Sequence, residues 1–206
     1  MLHTVIFIGR SGCGKGTQAG FFNDYIAQSD SDKRQILYIE TGNYVRDFIR
    51  QEHYSSKIAR DLYEKDHREP DFLGIFLWSK VLIDELDENM HLVIDGAPRA
   101  IDEAQVLTSA LKFYKRENSS IIYLNVSRKW SEDRLLARGR SDDKTLIKIN
   151  KRLDWFDKDV VPAIEYFKTN PLYRFLEING EQTIEKVHAD IIAAYDPFDH
   201  AQGHGE

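Results

Sequence analysis

The run Gly9-Arg10-Ser11-Gly12-Cys13-Gly14-Lys15-Gly16-Thr17 sets glycines around a single lysine, directly after the apolar stretch Thr4 to Ile8 and at the start of a helix-length segment. Glycines let a tight turn aim its backbone N–H groups inward, and the N-terminus of a following helix adds partial positive charge. A loop of this kind cradles polyphosphate oxygens. Lys15 follows the turn directly, where a long cationic side chain reaches the β- and γ-phosphates of a nucleoside triphosphate. Gly9, Ser11, Gly12, Cys13, Gly14, Lys15, Gly16 and Thr17 are therefore the expected triphosphate-binding segment.

Other residue types extend this chemistry. Asp95 closes the apolar run His91 to Ile94, where a carboxylate beside a phosphate loop holds Mg²⁺ through its waters. A turn aspartate before Gly96 reads the same way in isolation, and the phosphate loop decides for the metal. Arg99 follows Gly96 and Pro98 in a stiff loop, suited to gripping a phosphate with both arms of its guanidinium. Arg134 and Arg138 stand at i, i+4 on one helix face, and Arg140 continues the run. Crowded like charges are unfavourable without an anion, and a phosphoryl group passing between two nucleotides supplies one. A solvated basic helix paired with Glu132, Asp133, Asp142 and Asp143 accounts for one of these arginines rather than all.

The elements that must position these residues follow from the hydrophobic pattern. Thr4 to Ile8, Gln35 to Ile39, His91 to Ile94, Ser120 to Val126 and Tyr173 to Ile178 read as five strands separated by helix-length segments. That alternation predicts an α/β fold with a five-stranded parallel sheet and helices on both faces. Val5-Ile6-Phe7-Ile8 suits a central strand. Asn43, Asp71 and Ser131 are the expected helix caps, with Pro70 in a first helical turn. Two charged stretches, 41–71 and 138–151, interrupt a core made of 1–40, 72–137 and 152–195. They read as mobile flaps or as solvated helical faces. The segment 196–206 carries little apolar content and is expected to be a frayed tail, its His200 and His204 included.

The ending Gly-Lys-Gly-Thr, with Gly16 where Ser or Thr usually follows the lysine, resembles adenylate kinases and their relatives. Thr41-Gly42-Asn43-Tyr44-Val45-Arg46 is similar to the family element that grips the monophosphate. Asp95-Gly96-Ala97-Pro98-Arg99 resembles its Asp-Gly-Phe-Pro-Arg, and Arg134 to Arg138 its lid-hinge arginine pair. The resemblance implies a single three-layer P-loop kinase domain over 1–195, with a monophosphate-binding insertion at 41–71 and a short lid at 138–151. It implies transfer of a phosphoryl group from Mg-ATP to a nucleoside monophosphate, with AMP favoured and GMP or a pyrimidine monophosphate as the alternative. Lys15, Arg99, Arg134, Arg140 and Arg152 become the expected catalytic set. Arg134 and Arg138 also serve ATP, while Thr41, Gly42, Arg46, Gly96, Arg99 and Glu103 serve the monophosphate. Glu103 departs from the family's Gln, whose amide both accepts and donates; an ionised carboxylate only accepts. Ala97 replaces the usual Phe, and Arg140-Ser141-Asp142-Asp143 follows Arg138 so closely that the lid is shorter than the family's short form.

Composition narrows the classes. The chain has 206 residues, a net charge of −6 and one cysteine, Cys13. General nucleic-acid binding is not expected of so acidic a chain, and one cysteine excludes a disulfide framework or a multi-cysteine zinc site. No stretch is apolar for the length of a membrane span. The reading is a monomeric cytoplasmic enzyme of nucleotide metabolism. A non-catalytic ATP-binding relative would need the phosphate loop but not Arg46, Arg99, Arg134 and Arg152.

Overall fold

The computed structural model describes residues 1–65, 67–116, 118–139 and 145–196. Its strands are β1 (Thr4–Gly9), β2 (Ile36–Glu40), β3 (His91–Asp95), β4 (Ser119–Asn125) and β5 (Tyr173–Asn179). They pair in parallel in the order β2-β3-β1-β4-β5. The five expected strands thus occur within a residue or two of their sequence limits. β1 lies in the middle and is buried along its whole length, as an uninterrupted apolar run requires.

Alternation along β1 separates two cores. Val5 and Phe7 face α1 (Lys15–Ser29) and α9 (Ile184–Tyr195), packing with Phe22, Ile26, Val187 and Ile191. Ile6 and Ile8 face the opposite layer. There α4 (Asp71–Glu85), α5 (Ile101–Phe113) and α8 (Val161–Thr169) contribute Trp78, Leu82, Leu107 and Phe167. Helices on both faces force loops to the strand ends, and the carboxyl ends of β1, β2 and β3 meet beside the switch in strand order.

Two smaller clusters fasten the peripheral helices. Phe48, Ala59 and Leu73 join α2 (Thr41–Ile49) and α3 (Tyr54–Glu64) to α4. Leu135, Ile149 and Leu153 join α6 (Arg128–Arg138) to α7 (Leu146–Trp155). A π-helical turn, Phe156–Val160, links α7 to α8. Gly139 ends α6 at φ 63, and α7 begins at Leu146. Residues 140–144, with Arg140, Asp142 and Asp143 among them, lie outside the described residues, as do 197–206.

The expected caps need correction. β2 runs straight into α2, so Glu40 is the cap position and Asn43 sits inside the helix, bonded through its side chain to Glu40 at 2.8 Å. Pro70 itself is the cap position of α4, and Asp71 is the first helical residue, close to the positive end of the helix dipole. In α6 the cap is Ser127, which accepts from the Trp130 N–H; Ser131 is buried in the helix. In each case the chain enters the helix sooner than the polar residue suggests.

Leu135 is fully buried, and a Cβ added to Gly12 would lie 3.1 Å from its Cγ, so this leucine braces the phosphate loop as well as α7. Leu135→Ala should destabilise the protein by about 2–5 kcal/mol. Ile83→Ala, whose side chain is exposed, should change stability by less than about 0.5 kcal/mol. Urea unfolding of the two variants checks this, and equal losses would refute the bracing role.

Candidate active site

The loop between β1 and α1 has the conformation its glycines allow. Gly12 and Gly14 have φ of 85° and 97°, in the left-handed region, and Gly14 is the residue from which α1 starts. Among the described residues nothing lies within 4 Å of a Cβ built on Gly14, which leaves room there for a ligand. Gly9, Ser11, Gly12, Gly14, Lys15, Gly16 and Thr17 line one cleft of about 1050 Å³. Cys13 does not. Its side chain turns into the core, burial pushes its thiol pKa up, and its N–H donates to the Arg10 carbonyl at 3.1 Å.

Lys15 folds back over its own loop. Its Nζ donates to the carbonyls of Gly9 at 2.8 Å and Arg10 at 3.2 Å. Both acceptors are neutral, so an arriving phosphate oxygen offers the ammonium a stronger, charge-assisted partner.

Across the cleft, β2 and β3 end side by side with Glu40 opposite Asp95. Asp95 is buried, and desolvation raises its pKa above the ordinary carboxylate range, opposed by Lys15 and reinforced by Glu40. Tyr38 donates a long hydrogen bond to its Oδ2 at 3.4 Å. A Cβ on Gly16 would come within 3.3 Å of the same oxygen. A buried carboxylate disfavoured as an anion, with a second carboxylate beside it, fits a divalent cation. Among the described residues no group of three or more His, Cys, Asp or Glu could hold a metal ion. Such a cation would therefore draw most of its ligands from water and phosphate, in the manner of Mg²⁺.

The predicted arginines converge on the same space: Arg46, Arg99, Arg134, Arg138 and Arg152 all line it. Arg46 pairs with Glu40 at 3.2 Å and also donates to Asn43. Arg99 donates from Nε to the Gly96 carbonyl at 2.7 Å, which holds it across the turn that Gly96 makes at φ 84. Arg134 lies over the Trp130 ring, 5.5 Å from its centroid. Gly42 and Gly96 are on the wall; Thr41 is buried, its hydroxyl without a hydrogen-bond partner among the described residues.

Glu103 is also buried. One carboxylate oxygen accepts from the Arg99 backbone N–H at 3.2 Å and the other from Arg68 at 3.1 Å. Burial raises its pKa against the pull of Arg99 and Arg68. Arg68 and Glu69 face the cleft and were not singled out by the sequence, where they read as charges before Pro70. Lys148 and Phe156 also line it. Lys148, one turn before Arg152 on α7, could have been found from that spacing.

Asp95 yields a stability prediction. Its raised pKa means that the folded state holds the proton at pH values where the unfolded state has lost it. The destabilisation is therefore absent below the unfolded value near 4, grows as pH rises, and is complete above the folded value. Asp95→Asn should unfold at higher urea than the wild type at pH 7, and the gap should close towards pH 4. A variant less stable at pH 7 would contradict it.

Comparison with known proteins adds to this geometry. The sequence model described as adenylate kinase matches residues 7–172. The chain is similar to the adenylate kinase of Flavobacterium psychrophilum, 30% identical over 194 residues that cover 91% of this chain and 94% of that protein. It is 32% identical to the adenylate kinase of Phocaeicola vulgatus over 198 residues, covering 94% and 98%. It is also 32% identical to that of Bacteroides fragilis over 200 residues, covering 95% and 99%.

Proposed function

From the premise that this chain belongs to the adenylate kinase family of phosphotransferases, we propose that it catalyses ATP + AMP = 2 ADP with Mg²⁺. The observation that carries this reading is the meeting of a phosphate loop with Arg46 and Arg99 at the other end of the same cleft. A protein that only bound ATP would have no use for that second set.

The donor's phosphates lie against Gly9 to Thr17, with Lys15 exchanging its loop carbonyls for phosphate oxygens. The acceptor's phosphate is held by Arg46 and Arg99, beside Thr41, Gly42 and Gly96. An oxygen of the monophosphate attacks the γ-phosphorus in line; the new P–O bond forms as the bond to the β-phosphate oxygen breaks, and ADP leaves on both sides. Arg134, Arg138 and Arg152, with Arg140 from the lid, stabilise charge on the transferred group. Asp95 would hold Mg²⁺ through its waters, and the ion would supply neutralisation of phosphate charge. Lid and insertion exclude water when they close. No helix among the described residues is long and apolar enough to cross a membrane. With a single cysteine and an acidic net charge, a monomer in the reducing cytosol that binds neither membrane nor nucleic acid fits best.

Lys15→Ala should lower kcat by a hundredfold or more, about 3 kcal/mol of transition-state stabilisation, without changing the unfolding midpoint by more than a few degrees. Arg99→Ala should weaken use of AMP more than binding of ATP. Coupled measurement of ADP formation and calorimetry with ATP alone check both. Near-normal turnover by folded Lys15→Ala would end the proposal, and loss of ATP affinity with unchanged AMP use would misplace Arg99.

A further inference from the structure

The acceptor half of the cleft contains a guanidinium that the reaction scheme above does not use. Arg68 is mostly buried yet lines the cleft, and it is fixed from several sides. Its Nη2 donates to Asp71 and, at 3.1 Å, to Glu103; its Nη1 lies 3.5 Å from Asp159 in the π-helical turn. Glu103 in turn accepts from the Arg99 backbone N–H, so one carboxylate separates Arg68 from the main chain of the phosphate-gripping arginine. Arg68 lines the cleft, whereas Asp71, Glu103 and Asp159 do not. Glu69, the neighbouring carboxylate on the wall, is drawn towards the phosphate end, 4.0 Å from Arg99 Nη1.

We propose that Arg68 reads the base of the acceptor nucleotide, that Glu103 acts by positioning Arg68, and that the pair admits a 6-oxopurine monophosphate beside AMP. This rests on the kinase reading above. A guanidinium offers donors alone. A 6-oxopurine presents O6 as an acceptor on this edge, and with both Nη2 protons given to Asp71 and Glu103 it is an Nη1–H that meets it. Adenine presents an amine in that place, so the same Nη1–H faces a donor. Glu103 has both oxygens engaged, which leaves the reading to the arginine it holds.

The test is kcat/KM for AMP, GMP, IMP, UMP and CMP with Mg-ATP in the wild type and in Arg68→Leu, Arg68→Lys, Glu103→Gln and Arg68→Leu/Glu103→Gln. ATP binding by calorimetry confirms that each variant is folded. The GMP:AMP and IMP:AMP ratios should fall about tenfold in Arg68→Leu. They should fall also in Arg68→Lys, which keeps the charge but whose single nitrogen cannot hold Asp71 and Glu103 and reach the base at once. Glu103→Gln should lower the same ratios by raising KM for GMP and IMP more than it lowers kcat. Adding it to Arg68→Leu should change the ratios no further. Unchanged ratios in Arg68→Leu and Arg68→Lys that still bind ATP would overturn the inference and leave Arg68 a strut. Additive effects of the two residues would overturn the positioning role of Glu103. Absence of transfer to every monophosphate by the wild type is a different failure, of the kinase reading itself.

Discussion

Cationic side chains drawn to the carboxyl edge of one sheet must be held there before any anion arrives, and the rest of the site is arranged around that constraint. Two kinds of partner do the holding. Lys15 and Arg99 are held by neutral main-chain carbonyls, and Arg134 lies over an indole. Such partners fix direction but are weaker than an ionised oxygen, so a phosphate displaces them with a net gain. Arg10, Arg46 and Arg68 are instead held by carboxylates, Asp157 at 2.5 Å for the first, Glu40 at 3.2 Å for the second and Asp71, Glu103 and Asp159 for the third. A ligand phosphate would have to compete with charges already in contact. A neutral partner thus gives way readily, whereas a carboxylate must be exchanged for the phosphate, as at Arg46, or keeps its arginine in the surroundings.

The π-helical turn Phe156–Val160 is where the second kind is organised. Widening one turn of an otherwise continuous helical stretch lets nearby aspartates point to different neighbours. Asp157 reaches Arg10 of the phosphate loop and Arg128 at the start of α6, while Asp159 reaches Arg68 before α4. The Arg10 guanidinium also lies over the Phe156 ring, 4.4 Å from its centroid. Surface ion pairs of this kind each contribute little, but they share one short segment. That segment joins the loop after β1, the start of α6 and the cleft wall that carries Arg68.

Much of this was legible in the sequence, and the gaps have physical causes. The strands were readable because a buried parallel strand is an apolar run, and β1 is buried throughout. The phosphate loop was readable because glycine, lysine and context agree. Helix caps were misread at Asn43, Asp71 and Ser131, since a polar residue near a helix start is a cap only if the backbone turns there. The clearest gap is Arg68. Its meaning depends on Glu103, 35 residues away, and on Asp159, and nothing local marks such a contact. Glu103 itself stood out by its departure from the family pattern, but chemistry alone could not say that both its oxygens were already engaged.

Gly16 is the departure that the structure explains most directly. Phosphate loops usually follow the lysine with Ser or Thr, whose hydroxyl faces the metal. A side chain at 16 would begin 3.3 Å from the Asp95 Oδ2, closer than most real Cβ contacts. Without it, the first turn of α1 can approach the end of β3, where Asp95 lies buried beside the loop. Burial is what makes this approach consequential. An exposed hydroxyl has no preference between empty and occupied states, whereas Asp95, desolvated and next to Glu40, is disfavoured as an anion until a cation arrives. The same glycine that lets the helix approach leaves Asp95 in the environment where a divalent cation gains most from it.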